Sequence, residues 1–339
     1  MTGSRRLGLA LSNEIPVAET VALARRAEEL GLSEVWLPES SHGRGLFTVA
    51  ASVAAATSRV KIGIGIVNPF WRHPSLIAME AAALDEASQG RVLLGLGAAL
   101  WTLRALGEAD SRTERPLAAM VEAIHLVRAL LRRAPSPVSP RIFAARQDSR
   151  LDFPRVRASV PVYVGAVNAR MLRATGSVAD GVQLGAIVSP GYARWAAEQI
   201  AAGARAAGRE PAELDLASNV LLSVDRDGQA ARDAVRDVLA YYIYRVEPVV
   251  LSTSGADPEE LERVRQTVAD QGVPAGAQLI SSALIDTFAA AGDPDHVAER
   301  LKAYLAAGLH GVLAWHVIGP NPATSLRLLA EVVHPRVFD

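Results

Sequence analysis

The sequence predicts a single-domain α/β protein of the (β/α)8 TIM-barrel class with insertions, spanning residues 1–339. The first observation is that short apolar segments alternate with segments of helical periodicity, and that this unit recurs eight times. Strands that alternate with helices form a parallel sheet, and eight such units close into a barrel. The second observation is composition, since 50% of the residues are hydrophobic and 21% are charged, which is typical of a globular protein with a large core.

The predicted elements follow in order from the amino terminus. The apolar run at 6–11 predicts the first strand, and apolar positions at helical spacing predict a helix over 16–31 that ends at Gly31. Two segments are predicted to be insertions: about 135–158, which has several prolines and no clear periodicity, and 247–292, which mixes short helical patches with Gly and Pro. Further strands are predicted at 33–38, 59–67, 91–96, 160–165, 181–184, 214–224 and 311–315, and further helices at 46–57, 74–88, 116–133, 169–178, 190–207, 228–246, from Asp293, and 322–333.

Charge and composition exclude several classes of function. The 35 basic and 36 acidic side chains nearly cancel and are scattered, which argues against a nucleic-acid or membrane partner. No apolar run reaches the ~18 residues that a membrane-spanning helix needs. The sequence contains no cysteine, and its seven histidines lack the spacing of a hydrolytic zinc site, so no metal is expected. The amino terminus lacks a signal-peptide pattern, and the expected location is cytoplasmic.

Candidate site residues follow the predicted strands, because active sites of such barrels lie at the carboxyl ends of the strands. They are mostly small or polar side chains. Glu39, Ser40, His42 and Arg44 follow the second strand; Asn68 and Trp71 follow the third; Gly97, Ala98 and Trp101 follow the fourth; Gly165, Ala166, Val167 and Asn168 follow the fifth; and His316 follows the last.

Glycines in these segments have two interpretations. Gly63 and Gly65 interrupt a strand of β-forming residues, either because a planar ring lies against the backbone there or because the barrel interior is tightly packed. The turn from Gly165 to Asn168 enters a predicted helix, so its backbone N–H groups are suited to bind a phosphate; the alternative is an ordinary turn capped by Asn168.

Five blocks of sequence resemble the luciferase-like superfamily of flavin- and deazaflavin-dependent oxidoreductases, in particular its methylenetetrahydromethanopterin reductase-like, F420-dependent branch. The resemblance covers nearly the whole chain. The blocks are VWLPE at 35–39, TSRVKIGIGIVNPFWRHP at 57–74, LDEASQGRVLLGLG at 84–97, PVYVGA at 161–166 and ADG at 179–181.

The resemblance implies a cofactor site at strand ends three, four and five, with coenzyme F420 as the cofactor and FMN as the alternative. It implies a non-prolyl cis peptide between Gly65 and Ile66, at a bulge on which the ring rests. Carried over by position, the cofactor-binding residues are Gly65, Ile66, Val67, Asn68, Gly97, Ala98, Gly165, Ala166, Val167, Asn168 and Met171. Catalytic candidates are Glu39, Ser40 and His42, and the substrate mouth would be lined by Arg44, Trp71, Trp101 and His316.

The sequence departs from related patterns at two positions. Many deazaflavin-dependent members have an acid followed by histidine after strand two, whereas Ser40 follows Glu39 here, and Leu100 stands where the sugar-phosphate dehydrogenase members have glutamate. Hydride addition to a cationic or iminium-like carbon depends more on orientation than on a proton donor. We therefore expect reduction of a C=N or conjugated C=C bond of a small organic substrate.

Two alternatives stay open at this point. One is an FMN-dependent monooxygenase supplied by a separate cofactor-reducing enzyme, and the other is a cofactor-binding homologue that has lost catalysis. The family relatives suggest a homodimer.

Overall fold

A computed structural model describes residues 5–108, 110–136, 139–145, 149–185, 187–315 and 319–338. All strand pairings in it are parallel, and eight of the nine strands form a ring that closes where the strand at 181–184 pairs with residues 215–218. The predicted eight-stranded barrel is confirmed. The strands are β1 Arg6–Ala10, β2 Glu34–Leu37, β3 Lys61–Val67, β4 Val92–Gly97, β5 Val162–Gly165, β6 Gly181–Leu184, β7 Asp215–Val224, β8 Ala289–Gly292 and β9 Gly311–Trp315.

Helices pack around the outside of the barrel. The described helices are α1 Val17–Glu29, α2 Leu46–Ala56, α3 Pro74–Ala87, α4 Leu100–Ala105, α5 Pro116–Arg132, α6 Ala169–Val178, α7 Pro190–Ala206, α8 Gly228–Asp233, α9 Arg236–Arg245, α10 Pro248–Ser252, α11 Pro258–Gln271, α12 Val273–Ala277, α13 Ser282–Phe288, α14 Pro294–Ala306, α15 Pro322–Leu328 and α16 His334–Val337. Leu and Val side chains of the strands pack outward against these helices and form the larger core.

The structure corrects the sequence prediction in the region from 228 to 292. The helix predicted over 228–246 is two helices, α8 and α9, with a break before Arg236. The insertion at 247–292, predicted to contain short helical patches, contains α10 to α13, but it ends in an unpredicted strand, β8, which pairs with the last four residues of β7. The sequence of β8 is Ala-Ala-Ala-Gly, which lacks the β-branched and aromatic residues that indicate strands.

An ion-pair network closes the barrel interior at the amino ends of the strands. Arg6 donates to Glu34 at 2.9 Å and to both carboxylate oxygens of Asp215, and the Tyr163 hydroxyl also donates to Asp215, at 2.5 Å. Burial by itself raises the pKa of Asp215, but hydrogen bonds from His310 and Arg6 outweigh it and hold that pKa well below its usual range. Among the described residues, this network fills the barrel interior at the amino ends of the strands.

Two polar side chains organise the loops on this closed face. The Glu28 carboxylate accepts the backbone N–H groups of residues 58, 59 and 60. The Arg91 guanidinium donates to backbone carbonyls of Ala54, Thr57 and Val60. Arg91 belongs to the block at 84–97, so part of that motif stabilises the barrel and does not contact the mouth.

Candidate active site

The floor of the barrel mouth is formed by Ile66 at the end of β3. The pairing of β3 with β4 shifts register between Ile64 and Val67, and the peptide bond between Gly65 and Ile66 is cis, at the position that the family resemblance implies. A Cβ added at Gly97 would lie 2.6 Å from Ile66 side-chain carbons, and one at Gly165 would lie 3.0 Å from them. The Ile66 side chain thus lies across the glycines of β4 and β5 and remains partly exposed.

The glycines of β3 make room for large side chains of the barrel interior. A Cβ at Gly63 would lie 2.1 Å from the Trp36 ring, and one at Gly65 would lie 2.6 Å from the Gln183 side chain. Trp36 and Gln183 are buried in the barrel interior. Of the two interpretations of these glycines, the structure supports tight interior packing. The Ile66 side chain lies over the glycines of β4 and β5, and the cofactor-binding role of Gly65, Gly97 and Gly165 stays a prediction.

Asn68 links the ends of β3 and β4 behind this floor. It is 1% exposed; its amide Nδ2 donates to the Ala98 carbonyl at 3.0 Å, and its Oδ1 accepts the Phe70 backbone N–H at 2.8 Å. Both ends of the side chain are therefore used in the turn. Asn68 fixes the position of Ala98, which is another of the residues expected to border the cofactor.

Glu39 is held in an ion-pair chain beside Asn68. One carboxylate oxygen accepts the Asn68 backbone N–H at 2.9 Å, and the other accepts from Nε of Arg72 at 2.9 Å. Arg72 also pairs with Glu80 at 3.1 Å. Burial, only partly offset by Arg72, raises the pKa of Glu80. The chain connects the loop after β2 to the turn after β3.

The other two catalytic candidates are on the surface of the loop after β2. Ser40 and His42 are exposed, and His42 has a left-handed backbone with φ 56°. Arg44 donates through Nη1 to the backbone carbonyls of Asn13 and Glu14, at 2.9 and 3.1 Å, so its guanidinium joins the loops after β1 and β2. Glu39 therefore lies close to Asn68, and within the part of the chain that the structure describes the side chains of Ser40 and His42 make no hydrogen bond to the turn after β3.

The loops after β3 and β4 and the first insertion meet at one side of the mouth. The Trp71 indole N–H donates to Glu108, and Phe143 of the insertion packs near Phe70, with ring centroids 6.1 Å apart. Glu122 of α5 accepts the backbone N–H groups of residues 141, 142 and 143. The insertion is thus anchored where it approaches the end of β3.

The turn between β5 and α6 presents a helix amino terminus to the mouth. Asn168 caps α6, its Oδ1 accepting the Met171 N–H at 3.3 Å, and the first turn of α6 contains no acidic residue. The Val167 carbonyl accepts the Tyr192 hydroxyl at 2.7 Å, and Ala166 is buried. The capping interpretation of Asn168 is observed, and binding of an anion at this turn stays a prediction.

The opposite side of the mouth contains residues that the sequence prediction missed. Gln183 donates to Asn219 at 3.1 Å between β6 and β7, and Trp315 ends β9 and packs against the interior layer that includes Trp36. Period-two alternation would have marked Trp315, because Gly311, Leu313 and Trp315 share the inward face. Of the remaining predicted mouth residues, His316 and the side chain of Trp101 lie outside the described residues.

Comparison with known proteins gives concordant matches over the chain. A family model described as luciferase-like monooxygenase matches residues 2–311. The chain is 30% identical over 321 residues to 5,10-methylenetetrahydromethanopterin reductase of Methanolobus tindarius, covering 94% of this chain and 96% of that protein. It is 28% identical to F420-dependent glucose-6-phosphate dehydrogenase of Beutenbergia cavernae, with 98% and 97% covered. The structure of coenzyme F420-dependent tetrahydromethanopterin reductase from Methanopyrus kandleri matches with a TM-score of 0.89 and 27% identity, over 98% of this chain and 99% of that one.

Fold and comparisons together define a (β/α)8-barrel oxidoreductase, with its candidate site at the carboxyl ends of β3, β4 and β5. The chain belongs to the luciferase-like monooxygenase family. The family resemblance inferred from the sequence is confirmed.

Proposed function

We propose that this protein is an F420-dependent oxidoreductase that transfers hydride from reduced deazaflavin to a C=N or conjugated C=C bond of a small organic substrate. The observation that carries the proposal is the match over almost the full length to F420-dependent enzymes, at a TM-score of 0.89 for the solved reductase. The arrangement of the mouth is consistent with it, because an apolar floor and a helix amino terminus lie at adjacent strand ends.

The residues at the mouth fit the chemical groups of the cofactor. A planar tricyclic ring needs a flat apolar support, and the partly exposed Ile66 side chain over Gly97 and Gly165 offers one. A phosphate needs N–H donors without nearby carboxylates, which supports a role for Gly165 to Asn168 at the start of α6. Ala98 and Asn68 border the floor, and Met171 supports the anion-binding turn from behind.

In the proposed mechanism the protein contributes position and exclusion of water. When bound, the reduced cofactor supplies the hydride. Ile66 covers one face of the ring site and keeps water from it, which leaves the opposite face for the substrate. Asn68 fixes Ala98, and Glu39, held by Arg72, fixes the backbone N–H of Asn68. Both carboxylate oxygens of Glu39 accept protein hydrogen bonds, which supports a positioning role for this catalytic candidate.

Reduction of an iminium-like carbon suits this set of residues. Leu100 at the start of α4 and Ser40 after β2 are not general bases at neutral pH. An alcohol dehydrogenation needs such a base, whereas hydride addition to a cationic carbon does not. Ser40, His42, Arg44 and Trp71 remain candidates for the outer rim of the substrate site.

Titration of the purified protein with F420, followed by the fluorescence of the cofactor, tests the proposal. We expect saturable binding of F420 and oxidation of reduced F420 by a cyclic iminium salt. A protein that binds FMN and not F420, and that consumes oxygen with reduced FMN and a substrate, would support the monooxygenase alternative and a separate cofactor-reducing partner. Binding of F420 without turnover of any iminium or enone would favour the inactive homologue.

The expected homodimer has support from the surface of α2 and α3. In α3, Leu76 and Met79 are 41% and 50% exposed, and α2 contains no charged residue. We propose that a second copy of the chain covers this face, and that Met79→Glu shifts the protein to a monomer in sedimentation equilibrium. An unchanged mass for Met79→Glu would contradict this interface.

None of the described helices is long and apolar enough to cross a membrane. The cytoplasmic location stays a prediction.

A further inference from the structure

The carboxyl end of β9 places a large flat side chain opposite the floor of the mouth. Around the closed sheet, β9 and β4 are separated by three strands in either direction, so they face each other across the barrel. The inward positions at the ends of β4 and β5 are Gly97 and Gly165, whereas the corresponding position of β9 is Trp315. The mouth therefore has glycines at the inward positions on the Ile66 side. On the other side it has one partly exposed indole, that of Trp315.

Aromatic residues of α9 support this indole. The ring centroids of Tyr242 and Trp315 are 5.0 Å apart with an interplanar angle of 63°, and those of Tyr241 and Tyr242 are 5.0 Å apart at 85°. Burial, with the nearby Tyr241 and Glu14, raises the pKa of Tyr242 to about 12, so this phenol stays neutral. We call Trp315, Tyr242 and Tyr241 the aromatic wall. Edge-to-face contacts of this kind restrict ring rotation, so the indole is preorganised before a ligand binds.

We infer that the aromatic wall is a specificity-determining element that stacks on a planar aromatic group of the substrate. This inference rests on the proposed function, because it places the substrate between Trp315 and a cofactor supported by Ile66. The face of an indole attracts both planar π-systems and cations. Among the aromatic side chains, tryptophan attracts cations most strongly. The preferred substrates are accordingly iminium compounds whose C=N bond is conjugated with an aryl or heteroaryl ring.

The test measures binding without turnover. Protein loaded with oxidised F420 is titrated calorimetrically with N-methylisoquinolinium, a planar aromatic cation, and with N,N-dimethylpiperidinium, a saturated cation of similar size. We expect the aromatic cation to bind more tightly, and Trp315→Leu to weaken its binding by about tenfold or more, since stacking and lost apolar contact both contribute. Trp315→Phe keeps an aromatic face and loses less.

Tyr244→Leu is the matched control, because Tyr244 lies on the same helix with 44% of its surface exposed and no ring contact in the wall. It should bind the probe as the wild type does. Equal affinity of wild type and Trp315→Leu for N-methylisoquinolinium, or equal affinity of the wild type for the two cations, would overturn the inference. Thermal melting of each variant verifies that it is folded. If Trp315→Leu is not folded, Trp315→Phe takes its place in the titration.

Failure of the proposed function is distinguishable from failure of this inference. The fluorescence titration with F420 reads the proposed function alone and is made before any probe is added. The calorimetric titration is then repeated on protein without F420, where Trp315→Leu should still weaken binding of the aromatic cation, since its stacking partner is the indole. If F420 binds but Trp315→Leu does not change the affinity for N-methylisoquinolinium, the proposed function remains supported and the inference about the aromatic wall is refuted.

Discussion

Replacement of Asn68 by alanine should weaken cofactor binding by disordering the junction of β3 and β4. The substitution leaves the Ala98 carbonyl and the Phe70 N–H without their partners in a site where Asn68 is 1% exposed. A buried polar group that loses its hydrogen bond costs about 1–3 kcal/mol, so we expect a loss of stability of about 2–4 kcal/mol. For a chain of 339 residues this corresponds to a Tm lower by about 3–6 °C.

The functional effect should exceed what destabilisation alone produces. Ala98 borders the proposed ring site and Asn68 follows the bulge that supports the ring, so the dissociation constant for F420 should rise by about tenfold, equivalent to ~1.4 kcal/mol. Fluorescence titration with F420 measures this, and thermal unfolding measures the loss of stability. Asn68→Asp keeps an acceptor for Phe70 but turns a carboxylate oxygen toward the Ala98 carbonyl, so it should also weaken binding.

Arg157→Met is a control of similar cost at the other end of the barrel. Arg157 makes a bidentate pair with Asp85, at 2.9 and 2.8 Å, near the start of β4, and removing it leaves the buried Asp85 carboxylate without that cation. We expect it to destabilise the protein by about 2–4 kcal/mol and to leave the affinity for F420 unchanged. The reasoning is refuted if Asn68→Ala binds F420 with the wild-type affinity, or if both variants lose affinity equally.

Three further substitutions have defined outcomes. Gly97→Ala places a Cβ 2.6 Å from Ile66, so Ile66 must move into the mouth and F420 should bind about tenfold more weakly by titration; unchanged affinity would contradict the role of Ile66 as the floor. Slight burial raises the pKa of Glu28, but hydrogen bonds from backbone N–H groups outweigh this effect and lower the pKa to about 2. The stabilisation by the Glu28 carboxylate is therefore complete above about pH 5 and is lost as the pH falls through 2. Glu28→Gln should therefore destabilise by about 1 kcal/mol in denaturant unfolding at pH 7 and by less at pH 3, and an equal or larger effect at pH 3 would refute this. Glu122→Ala removes the acceptor of three backbone N–H groups at 141–143 and should speed tryptic cleavage there, whereas resistance equal to wild type would show that the insertion is anchored by other contacts.

Most of the barrel strands and the long helices were predictable because they follow local patterns of apolar residues. Eight strands and the long helices were identified from apolar periodicity, which reports burial of a strand or of a helix face regardless of its neighbours. The short strand β8 was missed since Ala-Ala-Ala-Gly has little β-propensity of its own, and only its pairing with β7 makes it a strand. The break between α8 and α9 likewise has no glycine or proline to mark it.

The candidate site was predictable only in its location. The residues after each strand had to meet at one end of the barrel, and the sequence therefore named Glu39, Asn68, Gly97 and Gly165 as neighbours. It did not determine that Glu39 is engaged by Arg72, because that contact depends on how two loops from different strands are placed.

The sequence by itself determined the barrel, the family and the strand ends proposed to carry the site, since each depends on periodicity or on a run of adjacent residues. Only the tertiary structure decided what fills the space beside each glycine. Trp36, Gln183 and Ile66 reach the glycines of β3, β4 and β5 because closure of the barrel brings inward-facing side chains of different strands into one layer. The same closure packs Trp315 of β9 against the interior cluster that includes Trp36, and no local pattern records which inward-facing side chains meet inside a barrel.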